Sequence, residues 1–140
     1  MIVHISMRQL GKKRNTINSV PFELPYAPKS VRELITAAVQ VCTAEYNRRV
    51  RAGETAIHPM TQESLQNMET IGKLAFGVHY GSREADEASA VHTALLGFED
   101  GLYRIFCGQT ELTGLDDALH LPEGAELTFV RLTMLTGTFF

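Results

Sequence analysis

Five histidines, two cysteines and two acidic doublets are the residues of this 140-residue chain whose types could do chemistry. A metal site needs His, Cys or carboxylates at short, regular spacings. His4, His58, His79, His92 and His120 are dispersed instead, and none stands beside a Cys or Glu at ligand spacing. Cys42 and Cys107 are far apart in apolar surroundings, the setting of buried thiols rather than of a disulfide or reactive pair. Glu99-Asp100 and Asp116-Asp117 fall at expected turns, where carboxylates cap amides or meet water more readily than they serve acid–base catalysis. Gly72-Lys73 lacks the earlier Gly and the following Ser/Thr of a phosphate-binding loop. Gly77-Val78-His79-Tyr80-Gly81 lacks the dinucleotide fingerprint. The expectation is a chain with no catalytic residues, no metal and no cofactor, and not an enzyme.

Binding is the remaining kind of chemistry, and charge is its clearest signal. The net charge is −3, unevenly spread. Residues 1–52 hold nine Lys/Arg against three Glu, a net +6, whereas residues 53–140 carry a net −9. Arg8, Lys12, Lys13 and Arg14 form one basic cluster on the expected first hairpin, and Arg48, Arg49 and Arg51 a second. Four to seven phosphate contacts from the two clusters would give salt-sensitive nucleic-acid binding. The acidic total and the lack of aromatic residues among the cations disfavour that reading. No apolar run reaches the roughly 18 residues of a membrane helix. The basic residues soon after Met1–Met7 leave no room there for the apolar core of a signal peptide. A cytoplasmic protein without a membrane partner is expected.

The elements that position these residues follow from periodicity. Val3, Ile5 and Met7 alternate with His4 and Ser6, a strand. Gly11 to Asn15 is a polar turn, and Thr16 to Leu24 resumes the alternation, completing a hairpin with Pro21 at an edge or bulge. Ser30 and Glu33 make a capping box before a helix of about 20 residues, striped by Leu34, Ile35, Ala38, Val41, Cys42 and Tyr46. Its last turn gathers Arg48, Arg49 and Arg51, and Gly53 stops it. A short helix capped by Thr61, carrying Leu65, Met68 and Ile71, precedes a strand over 74–80. A further helix over 86–98 has Val91, Ala94, Leu95 and Phe98 as its apolar positions. Leu102 to Cys107 is a strand, Gly108-Gln109 a turn, and Thr110 to Leu112 a short strand. Pro122-Glu123-Gly124 signals a turn before a last strand, Glu126 to Thr133, which is apolar on both faces as a central strand should be.

Hairpin, long helix, strand, short strand, turn and final strand is an element order that resembles the ubiquitin-like β-grasp superfamily. Tyr103-Arg104-Ile105-Phe106-Cys107-Gly108-Gln109-Thr110-Glu111-Leu112 is similar to ubiquitin's third strand, glycine turn and fourth strand. Leu115-Asp116-Asp117-Ala118-Leu119 and Pro122 to Val130 are similar to its closing loop and strand. Phe98 to Arg104 and Phe129 to Leu135 also resemble a small bacterial family of ubiquitin-like proteins, a likeness that carries no activity. The resemblance spans residues 1–50 and 102–135. It implies an α+β fold, a mixed sheet packed on a long helix, in one domain over 1–140 with a helical and strand insertion over 53–101.

The same resemblance implies three kinds of role. Ubiquitin and the sulfur carriers of this fold act through a tail ending in Gly-Gly. Here the chain reads Leu135-Thr136-Gly137-Thr138-Phe139-Phe140, so a modifier would need processing after Gly137. A nucleic-acid-binding β-grasp domain using the basic hairpin is another alternative. The leading expectation is a non-catalytic protein–protein interaction module. Its partner is another protein, with self-association through the opposite charges of the two halves as a variant. The residues expected to meet that partner are Lys12, Lys13, Arg14, Arg48, Arg49, Phe139 and Phe140.

Overall fold

The structure is a computed structural model, and it describes residues 1–9, 16–52, 68, 71–72 and 86–131. In chain order the elements are β1 (Ile2–Gln9), β2 (Ile17–Glu23), α1 (Val31–Ala52), α2 (Glu87–Glu99), β3 (Tyr103–Cys107), β4 (Thr110–Leu112) and β5 (Glu126–Arg131). The strands form one mixed sheet in the order β2-β1-β5-β3-β4. β1 and β5 run parallel, with His4 opposite Glu126 and Arg8 opposite Val130, and the other neighbours are antiparallel. The chain is thus α+β, and the arrangement is compatible with a β-grasp-like fold. The expected strand over 74–80 and the Thr61 cap lie outside the described residues.

Alternation decides which side of the sheet faces the helices. Val3, Ile5 and Met7 on β1, Phe22 on β2, Tyr103 and Ile105 on β3, and Leu127 and Phe129 on β5 are buried. They meet Val31, Leu34, Ile35 and Ala38 of α1 in one apolar cluster. The Tyr103 and Phe129 rings lie 5.9 Å apart at 24°, and Phe98 adds a tilted contact to Tyr103 at 5.8 Å. The buried Tyr103 hydroxyl donates to the Ala94 carbonyl at 2.7 Å, so the ring fills the core without stranding its polar tip. Both helices therefore lie on the Tyr103 side.

α2 departs from its expected stripe. Ala94 is buried as expected, but its buried companions are Ala90 and Gly97, while Val91, Leu95 and Phe98 are only partly covered. Small residues win because two neighbours approach this helix closely: α1 along its length, and the Tyr103 ring, 3.4 Å from where a Cβ on Gly97 would sit. α1 and α2 run antiparallel. Gln40 Nε2 donates to Glu87 Oε2 at 3.3 Å, and at the other end the charge of Glu99 acts on Arg32. Asp86 caps α2 by accepting from the Ala88 amide at 3.1 Å.

The start of α1 is held by the chain that precedes β5. The Ser30 hydroxyl accepts from the Glu33 amide at 3.2 Å, as a capping residue should. The Glu33 carboxylate accepts from the Lys29 amide at 3.0 Å, one residue before the cap. Ser30 itself forms a bridge with Ala118. The Arg32 amide donates to the Leu115 carbonyl at 2.7 Å, satisfying another orphan donor of the first turn. Arg32 also grips Asp116 through two hydrogen bonds of 3.0 and 3.3 Å. That bond, and then the charge behind it, hold the Asp116 carboxyl below the ordinary range. Asp117, also exposed, closes the loop by accepting from the Gly114 amide at 3.0 Å. Both carboxylates of the doublet are therefore engaged in shaping the loop.

Candidate functional site

The residues that the helices do not cover project from the other face of the sheet, and register sorts them into rows. Arg8, Val130 and Arg104 form one row across β1, β5 and β3. Ser6, Thr128, Phe106 and Glu111 form the next, reaching β4. Pro21, His4 and Glu126 form the third, and Glu23 lies opposite Ile2 in the last. Arg8, Arg104, Glu111, Glu126, Glu23 and Pro21 are exposed, whereas Val130, Thr128 and Phe106 are half-buried. Ile2 is 39% exposed, unusual for a β-branched aliphatic residue in a strand. The face is an apolar centre with two arginines at one end and carboxylates at the other.

Arg104 Nε is 3.8 Å from Glu111 Oε2, a loose pair between exposed side chains. His4 Nδ1 is buried and has no hydrogen-bond partner among the described residues. β5 supplies the middle of the face because it is the central strand. Its outward positions are Glu126, Thr128 and Val130, so the expectation of a strand apolar on both faces holds only on the helix side.

The β2 edge is built against strand addition. The Leu24 amide donates to Met1 O at 2.8 Å, so residues 22 and 20 make the hydrogen-bonded pairs with β1. Pro21, opposite His4, then turns its nitrogen outward, where an added strand would need an N–H. Next to it the ladder shifts register, Ser19 adopts φ +49°, and its amide donates to Ser6 Oγ at 2.9 Å. At the same end of the sheet the turn before β5 is pinned to β1. Gly124 takes φ +80°, as the third residue of a type II turn requires, and donates to Ile2 O at 2.8 Å. Glu123 Oε2 accepts from the Ile2 amide at 2.7 Å.

On the helix side, a wide groove of about 670 Å³ is lined by Leu24, Pro25, Val41 and Ala44, with Glu23 and Glu87 among its walls. Tyr26 lies nearby, its phenol raised above the ordinary value by partial burial and then by the charges of Glu33 and Glu87. Cys42 is buried against the Met68 carbonyl, and burial pushes its thiol well up, the chemistry of a structural cysteine. Among the described residues no three His, Cys, Asp or Glu are grouped to hold a metal ion. No described helix is long and apolar enough to cross a membrane.

Of the residues expected to bind a partner, Lys12, Lys13, Arg14, Phe139 and Phe140 lie outside the described residues, as does Gly137. Arg49 belongs to α1. Arg48, on the same helix, is held by Glu45 at 2.9 Å, so a phosphate or carboxylate ligand would have to displace that pairing. Charge marks Arg8 as part of the first basic cluster, but neither charge nor periodicity singles out Arg104 and Glu126. Their even-numbered positions mark them as outward-facing, but only the strand order makes them neighbours.

A scan of protein-family models, a search of curated proteins and a search of solved structures each returned no match to this chain.

Proposed function

We propose that the chain is a non-catalytic protein–protein interaction module with a ubiquitin-like β-grasp fold, and that it recognises its partner through the open face of the sheet. The observation that carries this is the row Arg8–Val130–Arg104 above half-buried Thr128 and Phe106, with no described helix on that side. An apolar centre rimmed by charge is the composition of a recognition patch, and arginine beside aromatic residues is favoured in such patches. The ubiquitin-like reading draws support from the strand order, the parallel β1/β5 pair and the 22-residue helix across one face. A protein partner suits the face better than nucleic acid, because Glu23, Glu111 and Glu126 share it with the two arginines and would repel phosphates. Recognition by the face also suits the molecule better than strand addition at β2, given Pro21.

Affinity capture with the full chain, with and without Val130→Lys, tests the proposal. Partners retained by the parent chain are expected to fall by about tenfold or more with the variant, because a charge at the centre of a patch is costly to bury. Circular dichroism checks that the variant is folded. Equal recovery of every partner by a folded variant would overturn the reading.

A further inference from the structure

We infer that the open face is built to take a second copy of this chain, stacked face to face about a two-fold axis that runs across the strands over the Ser6–Thr128–Phe106 row. The inference rests on the recognition reading above and names the partner.

The argument is one of charge and symmetry. The Arg8–Val130–Arg104 row lies on one side of the Ser6–Thr128–Phe106 row, and Glu126 lies on the other, two residues back along β5. A two-fold axis across the strands exchanges these two sides. Each Glu126 then falls over the partner's Val130, with that partner's Arg8 and Arg104 one strand away on either side, roughly 5 Å. Both arginines are exposed and long enough to close on the carboxylate. The exchange happens twice, as an isologous interface requires. Phe106 and Thr128 meet their own copies on the axis and supply the apolar centre.

The other in-plane axis, along the strands, fails. It would set Arg8 against Arg104 and Glu126 against Glu126, like charges facing like. The face therefore discriminates between two ways of stacking as well as permitting one. Glu111 is the exception in the favoured arrangement, since it shares the axial row on β4 and faces its own copy. It sits at the rim, with Arg104 3.8 Å away to offset its charge.

The size of the face sets the strength. Four strand spacings by about six residues give roughly 400 Å² a side, half of a standard interface. The dimer is therefore expected to be weak, dependent on concentration, and weakened by salt.

Sedimentation velocity of the full chain over rising concentration, at low and high salt, is the primary test. A monomer–dimer equilibrium that salt shifts toward monomer is expected. The double variant R8E/R104E and the single variant E126R should each weaken association by about tenfold or more, because each sets like charges together. An equimolar mixture of the two should associate again, since both contacts then join opposite charges. All three positions are exposed, so folding is not at stake. A parent chain that stays monomeric at every concentration overturns the inference. Variants that dimerise like the parent, or a mixture that does not recover, overturn it too. If the chain is monomeric while Val130→Lys still abolishes capture of another protein, the recognition reading stands and only the identity of the partner falls.

Discussion

The two faces of the sheet are written in the same strands, often in adjacent residues, yet they are held by different physics. Phe129 is fully buried against Tyr103, while Val130, the next residue, is half-buried on the opposite side. On the helix side Val3, Ile5, Met7, Phe22, Ile105, Leu127 and Phe129 are apolar and closed, and the Tyr103 phenol has its hydrogen bond. On the other side charges, hydroxyls and a half-buried aromatic ring share the surface. The inner face is what folding needs. The outer face goes beyond it, since residues chosen for solubility alone would not leave Ile2, Phe106 and Val130 there.

The comparison breaks most directly on β5. Phe129→Ala should destabilise the protein by about 3–5 kcal/mol, the range for an aromatic removed from a packed core. Val130→Ala should cost about 1 kcal/mol or less, since part of the side chain is in water already. Chemical denaturation of both variants measures the difference, and equal losses would mean that the two faces are equally closed. Tyr103→Phe sharpens the inner side, with an expected loss of about 1 kcal/mol for the buried hydrogen bond to the Ala94 carbonyl. Gly97→Ala examines how tight that side is. The new methyl meets the Tyr103 ring at 3.4 Å, at the limit of ordinary contact, so the helix-propensity gain of about 0.5–1 kcal/mol should survive in thermal unfolding. On the outer side, R8E/R104E should leave stability within about 0.5 kcal/mol of the parent.

The smallest expected effect is acid dependence at the α1 latch. Because Arg32 holds the Asp116 carboxyl below its unfolded value, the pair contributes above the usual carboxylate range and is lost as pH falls through the depressed folded value. Both side chains are exposed, so Asp116→Asn should flatten only a slight part of the acid limb of an unfolding curve.

Much of this architecture was legible before any coordinates. Alternation in Val3–Met7 and in Leu127–Phe129, the Ser30 cap and the Pro122-Glu123-Gly124 turn are local signals, and local signals survive folding. What was not legible is what distant segments do to one another. The Ser30 and Glu33 pairing is present in sequence, but the carboxylate binds the Lys29 amide, in a cap whose backbone bridges to Ala118. Of the expected α2 stripe only Ala94 is buried; the close approach of α1 and Tyr103 adds Ala90 and Gly97 in place of Val91, Leu95 and Phe98. The candidate site was the least legible part. Runs such as Lys12-Lys13-Arg14 draw the eye because they are contiguous. Arg8, Arg104 and Glu126 are single charges on three strands, and only pairing makes them a surface.

The position of β5 has a consequence for how the chain is made. Its two neighbours are β1, from the start of the sequence, and β3. On the ribosome, Ile2–Gln9 must wait with one flank unpaired until residues 126–131 have been synthesised. The hairpin and α1 can form early, but the greasy floor between them stays unsealed until β5 arrives. A late, long-range closure of this kind slows folding and leaves apolar surface exposed meanwhile.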